Sequence, residues 1–298
     1  MGKTEMHITS QTPLISALFY WEKYLADLQR SKYTVKSFSG DIRLLADFFS
    51  PDKPVGSFTT LDLNRFLEWV QNGRGRGISC SPKSYARRVT TLKSFFRWLK
   101  QHGRIDNDPA ESLVQRTVIS PIPEVLTQTE ESKLVDSALT LSRAAHPDTR
   151  PQAMFLLLLE TGIKKSECLN LTFNHIGFDP EIGNYIFVRY SSLRDRNKER
   201  KIPVSPKWLE ALEMYKSQYQ PKDTVFPWSP RRLEYILEDL GKAAGLSKHV
   251  SFSMCRWTCA LRDLEKGVDS NAIRQKMGVS KIQWRELRLK LEQLVDNH

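Results

Sequence analysis

The residues best able to do chemistry in this chain are cations in series. Between Ser81 and Lys100 stand Lys83, Arg87, Arg88, Lys93, Arg97 and Lys100 with no acid among them, and Arg194, Arg196, Lys198 and Arg200 gather in a basic turn. Such runs neutralise phosphates and release their counterions. A solvated helix face normally mixes both signs, so contact with a DNA backbone is the leading reading of the first series and a solvated basic face the alternative. Other chemistries lack their residues: there is no Gly-x-x-x-x-Gly-Lys-Ser/Thr loop, no Gly-x-Gly-x-x-Gly and no His-Glu-x-x-His. Cys80, Cys168, Cys255 and Cys259 are too scattered for a disulfide framework or a zinc quartet. Cys255 and Cys259, four residues apart, read as small buried core residues. The six histidines have no ligand spacing, so neither metal nor other cofactor is expected.

The formal charge of +11 attracts polyanions, either nucleic acid or an anionic membrane surface. Basic residues outnumber acidic ones 18 to 11 before position 121 and 27 to 23 after it, so both halves are positive, which suits a polyanion held between two domains. The longest apolar stretch, Ala153 to Leu159, is far short of the roughly 20 residues that span a bilayer. Leu14 to Tyr20 runs directly into Trp21, Glu22 and Lys23 without a small-residue cleavage site, unlike a signal peptide. A cytoplasmic, nucleoid-associated protein without a membrane partner is the expectation.

The elements that must position these residues are mostly helices. Leu18, Trp21, Leu25 and Leu28 mark a first helix, Ile42, Leu45, Phe48 and Phe49 a second, and Asp62 to Val70 a third. In the fourth, Tyr85, Val89, Leu92, Phe96 and Leu99 form an apolar stripe behind Ser81 as N-cap and Pro82 at the first helical position. Residues 112 to 124 lose periodicity and carry Pro121 and Pro123, giving a helical domain over 1–115, a linker over 116–124 and a second domain over 125–298. The second domain opens with helices from Thr127 to Ser142 and Gln152 to Glu160. Tyr185 to Tyr190 and Arg200 to Val204 then read as a β-hairpin around the basic turn, followed by helices over Pro230–Leu240, Phe252–Lys266, Ser270–Met277 and Trp284–Leu294. The fold class is mainly α with a small β-hairpin or sheet.

Over nearly its whole length the chain resembles the tyrosine recombinase (phage integrase) family. Ser81-Pro82-Lys83-Ser84-Tyr85-Ala86-Arg87-Arg88, Leu92 to Leu99 and Asn107-Asp108-Pro109-Ala110 are similar to its helical, SAM-like core-binding domain. Pro123 to Thr127 resembles the entry to its catalytic domain, and Glu160-Thr161-Gly162-Ile163-Lys164-Lys165-Ser166-Glu167 resembles the first catalytic signature. The resemblance places Lys164 where the family has one of two arginines that clamp the scissile phosphate; lysine keeps the charge and loses the bidentate fork. The end of the hairpin, Asn197 to Pro203, also matches, but the family's catalytic hairpin lysine has no sure counterpart among Arg194, Arg196 and Lys198. The His-x-x-Arg-His signature corresponds to Ser253-Met254-Cys255-Arg256-Trp257, which retains only Arg256. The Leu-Gly-His pattern corresponds to Met277-Gly278-Val279.

The family's nucleophilic tyrosine belongs near Leu287 or Arg288, and no tyrosine follows Tyr235. Without an attacking phenol the transesterification route is closed, and the losses at Ser253 and Val279 remove proton-handling groups. Tyr190 and Tyr235 read as packing residues; Ser253 and Cys255 lack a neighbouring base. Arg256 has a second reading, an ion pair that only holds the domain together. The resemblance therefore implies a degenerate phosphate pocket (Lys164, Ser253, Arg256, Val279) and DNA contacts through Lys83, Arg87, Arg88, Lys93, Arg97, Lys164, Arg194, Arg196, Lys198, Arg200 and Arg256. The expected function is binding double-stranded DNA without cutting it, so as to bridge sites or assist recombination or integration, with a second copy or an active recombinase as further partner. The alternatives are strand exchange through an unrecognised or partner-supplied nucleophile, and a regulator that blocks a site. Trp284, Leu287, Leu291 and Leu294 form a C-terminal stripe for packing on this chain or on a neighbour.

Overall fold

The computed structural model describes residues 8–74, 77, 79–114 and 121–296, and the chain divides after Ser120 into two compact units. In the first, α1 (Leu14–Asp27), α2 (Lys32–Phe48), α3 (Thr60–Gln71) and α4 (Pro82–Gln101) surround an aromatic core. Trp21, Phe66, Phe95 and Phe96 are fully buried, and the Phe95 ring meets Trp21 edge-on at 5.2 Å between centroids. The starts are fixed locally. Ser81 accepts the Ser84 N–H at 3.3 Å ahead of Pro82, and Thr59 and Asp62 form a reciprocal capping box on α3. Phe95 and Trp98 are buried beside Leu92, Phe96 and Leu99, so α4 sinks a wider face than its five-residue stripe implied.

In the second unit, α6 (Arg150–Thr161) is the axis: Ala153 through Leu159 are all buried, as for a helix surrounded by others. Around it pack α5 (Gln128–Ser142), α8 (Pro206–Tyr219), α9 (Pro230–Ala243) and α10 (Phe252–Glu265). A short helix, α7 (Lys165–Leu169), leads to β1 (Ile176–Asp179), β2 (Gly183–Val188) and β3 (Arg200–Pro203). The sheet is antiparallel in the order β1-β2-β3, with Ile186 opposite Ile176 on one side and Ile202 on the other. Ile186, Val188 and Ile202 turn inward, so Tyr185, Phe187 and Lys201 alternate outward. The hairpin thus carries a third strand and stops at Val188, short of the expected Tyr190.

The chain ends in α11 (Ser270–Lys276) and α12 (Lys281–Asp296). Trp284, Leu291 and Leu294 are buried with Leu261, Ile273 and Met277 in one cluster, and Leu287 packs against it. The C-terminal stripe is therefore satisfied within its own chain, mainly on α10. Leu291→Ala should lower the unfolding free energy by about 2–5 kcal/mol, read as a lowered urea midpoint at unchanged slope; an unchanged midpoint would show that α12 is not part of the cooperative unit.

Candidate phosphate-binding site

The site is assembled where α6 ends and α11 ends. Gly162 closes α6 with φ of 58°, a left-handed conformation suited to glycine, and a Cβ there would press to 3.2 Å from the Cys259 sulfur. Lys164 then caps α7, and the Glu167 carboxylate three residues on returns to accept the Lys164 backbone N–H at 2.8 Å. That geometry turns Glu167 inward, where its side chain keeps 1% of its exposure. Arg200, at the start of β3, meets it with Nη1 at 3.1 Å and Nη2 at 2.9 Å, a bidentate pair. The Tyr190 hydroxyl also donates to Glu167.

The end of α11 supplies the remaining partners. Its terminal carbonyls have no helical N–H to accept, and three in succession take cations: Lys276 O from Arg200 Nε at 2.6 Å, Met277 O from Arg256, and Gly278 O from Lys164 Nζ at 3.1 Å. Gly278 has φ of 56°, and a Cβ at this position would lie 2.6 Å from Arg200 Nη1. The Gly that follows α11 is thus required by both the turn and the guanidinium against it. Arg256 reaches from α10 and donates also to Gly162 O.

Burial would raise the Glu167 carboxyl, but Arg200, the Tyr190 hydroxyl and the Lys164 N–H outweigh it and hold it below the usual carboxylate value. The cations are less well matched. Burial lowers Lys164, with Arg256, Arg200 and Lys198 adding repulsion against the pull of Glu167. Burial, reinforced by Arg200, lowers Arg256 to about 10. Among the described residues no carboxylate is paired with Arg256, so the ion-pair reading of this residue gives way to two backbone carbonyls. Among the described residues Glu167 pairs with Lys164 and Arg200 and no carboxylate pairs with Arg256, so the pocket carries excess positive charge. An oxyanion such as a phosphodiester would offset it.

Catalytic equipment is sparse beside these cations. Ser253 is exposed on α10, and Val279 is half-buried against the α10–α12 cluster. Cys255 is buried and its thiol pushed up by burial. Leu287 packs inward and Arg288 pairs with Glu292 at 2.7 Å, so no phenol occupies that stretch. Tyr235 accepts from Arg231 Nε at 2.6 Å on α9. Tyr190, read from the sequence as packing, lies against Glu167, where burial and then that carboxylate raise its phenol, the opposite of what an attacking oxygen needs.

The other basic residues separate into two groups. Arg196 is exposed, Lys198 pairs with Asp195 at 2.6 Å, and the side chain of Arg194 lies outside the described residues. On α4, Lys83 and Arg97 are exposed, and Lys93 donates to Glu111 O at 3.2 Å. Arg87 and Arg88 turn instead to Asp41 of α2, a carboxylate at 2% exposure: Arg87 Nη1 at 2.5 Å, Arg88 Nε at 3.5 Å, with the Thr91 hydroxyl at 2.9 Å. Arg88 is itself buried and also donates to Cys80 Sγ. Arg88 and Arg200 are therefore committed to internal partners and present no free fork outward.

Residues 124–284 match the phage integrase family, and residues 19–103 match the phage integrase N-terminal SAM-like domain. Tyrosine recombinase XerC of Oceanobacillus iheyensis is 30% identical over 266 residues, covering 83% of this chain and 82% of that protein. Tyrosine recombinase XerD of Listeria monocytogenes is 26% identical, covering 83% and 84%. Among solved structures, the XerH site-specific recombinase bound to difH substrate aligns with a TM-score of 0.71 at 15% identity, over 97% of this chain and 99% of that one. A lambda integrase dimer bound to a COC′ core site aligns with a TM-score of 0.70 at 20% identity, over 93% and 77%. The chain belongs to the phage integrase family of tyrosine recombinases.

Glu167→Gln should leave Arg200 buried without a counter-charge and cost about 3–5 kcal/mol at neutral pH. The folded carboxyl lies below its ordinary value of 4.5, so its contribution is complete above that value and is lost as pH falls through the folded one. The gap in urea midpoint between wild type and variant should therefore close in acid. A pH-independent gap would assign the loss to packing.

Proposed function

We propose that this chain holds double-stranded DNA without cutting it by itself, and that it bridges sites or assists an active recombinase or a second copy during site-specific recombination or integration, working at the nucleoid in the cytoplasm. The observation that carries this reading is the excess of positive charge on half-buried Lys164 and Arg256, both held by backbone carbonyls, in a chain with no tyrosine after Tyr235. A phosphodiester seated there gains charge-assisted hydrogen bonds, but binding energy alone makes no new bond to phosphorus. Exposed Lys83, Arg97 and Arg196 supply backbone contacts that set affinity more than sequence choice. The family membership and the DNA-bound recombinases of like fold support the same partner.

The test is covalent trapping on a suicide duplex containing a site first found by selection. No protein–DNA adduct should form with the chain alone, and a phosphotyrosyl adduct at Tyr190 or Tyr235 would overturn the reading in favour of an enzyme with a relocated nucleophile. Noncovalent binding should weaken steeply with salt. Replacing Lys83 and Arg97 together by alanine should lower the salt slope by up to about two units, evenly across sequences. Arg88→Ala should act instead on the melting temperature, because it strips a partner from buried Asp41. A slope near zero in wild type would contradict electrostatic DNA binding.

A further inference from the structure

The outward face of the β-sheet carries a feature that duplex binding leaves unused. Tyr185 and Phe187 point away from the buried cluster that holds Ile186 and Val188. Gly177 lies opposite Tyr185 on β1, and a Cβ on Gly177 would come within 2.8 Å of the Tyr185 hydroxyl oxygen and 3.0 Å of the ring carbon bearing it. The phenol ring therefore leans across the glycine, close to the sheet surface, which only a residue without a side chain permits. Lys201, opposite Phe187 on β3, places Nζ 4.7 Å from the Tyr185 ring centre, and the exposed Arg189 places its guanidinium carbon 5.5 Å from that of Phe187. Acidic groups also border this face: Asp179 holds Lys201 at 2.6 Å, and Glu199 accepts the Tyr190 N–H at 2.9 Å. Arg189 is not in an ion pair among the described residues.

We propose that this face binds single-stranded nucleic acid, with unpaired bases stacked on Tyr185 and Phe187 and the strand's phosphates drawn to Arg189 and Lys201. Two half-buried rings at alternate positions of one strand share one surface, each with a cation over it, and Arg189, outside any ion pair among the described residues, matches the charge that a nucleic-acid strand carries and an apolar protein partner does not. A duplex buries its base faces in its own stack, so the site selects unpaired strands. This goes beyond the duplex reading, which rests on Lys164, Arg256 and the cations of α4.

The experiment measures binding of the full chain to fluorescein-labelled dT12 and to a labelled duplex by anisotropy. Phe187→Leu, which keeps an apolar side chain and removes the ring, should weaken dT12 binding about tenfold while duplex affinity stays within about twofold. Gly177→Ala should displace the Tyr185 ring and weaken dT12 binding in the same direction at unchanged melting temperature. Wild type that binds duplex but not dT12 overturns this proposal and leaves the duplex reading standing. Variants that bind dT12 as wild type does, or that lose both probes equally, also overturn it. Wild type that binds dT12 but not duplex contradicts the duplex reading alone.

Discussion

Glu167 and Arg200 meet inside the second unit as a bidentate ion pair, and the site's geometry follows from that contact. Arg200 is drawn under the hairpin toward the end of α11, where its Nε takes the Lys276 carbonyl. The same helix end then offers Met277 O to Arg256 and Gly278 O to Lys164. One buried carboxylate and one frayed row of carbonyls thus fix three cations arriving from α7, β3 and α10. A buried pair of this kind contributes little to net stability once desolvation is counted; its effect is positional, and losing one partner strands the other.

Carbonyl oxygens are weaker counterparts than carboxylates, and this distinction connects the fold to the function. They orient Arg256 and Lys164 without supplying a full opposite charge; burial lowers both, and Arg200 repels each of them. The first unit's cluster is closer to balance, because Asp41 pairs with both Arg87 and Arg88. The two clusters resemble one another in sequence as basic runs and differ in this balance. The first has two guanidiniums to one carboxylate; the second has three cations to one and is shorter of an anion.

The helices were readable because their apolar residues recur at three and four, and the hairpin because Ile186 and Val188 alternate around a basic turn. β1 was not: four residues with a glycine in second place give no alternation to detect, and its pairing with β2 is what defines it. The family motifs singled out Lys164 and Arg256, which both reach carbonyls at the end of α11, yet Glu167, to which Arg200 and Tyr190 converge, was quoted only as part of a signature. Its spacing from Lys164 is that of an N-terminal helix cap, a signal present in the sequence. Its partners come from 23 and 33 residues away, and the glycine carbonyl that completes the pocket from 114 away from Lys164. Arg87 and Arg88 looked outward for a related reason, since Asp41 lies 46 residues before Arg87 on another helix.

If the pocket holds cations awaiting a phosphate, duplex affinity measured across salt concentrations at neutral pH for wild type, Lys164→Met and Arg256→Met decides it. Each variant should bind duplex about tenfold more weakly and lower the salt slope by about one unit. Wild-type affinity and slope in both variants would contradict a phosphate seated at this site.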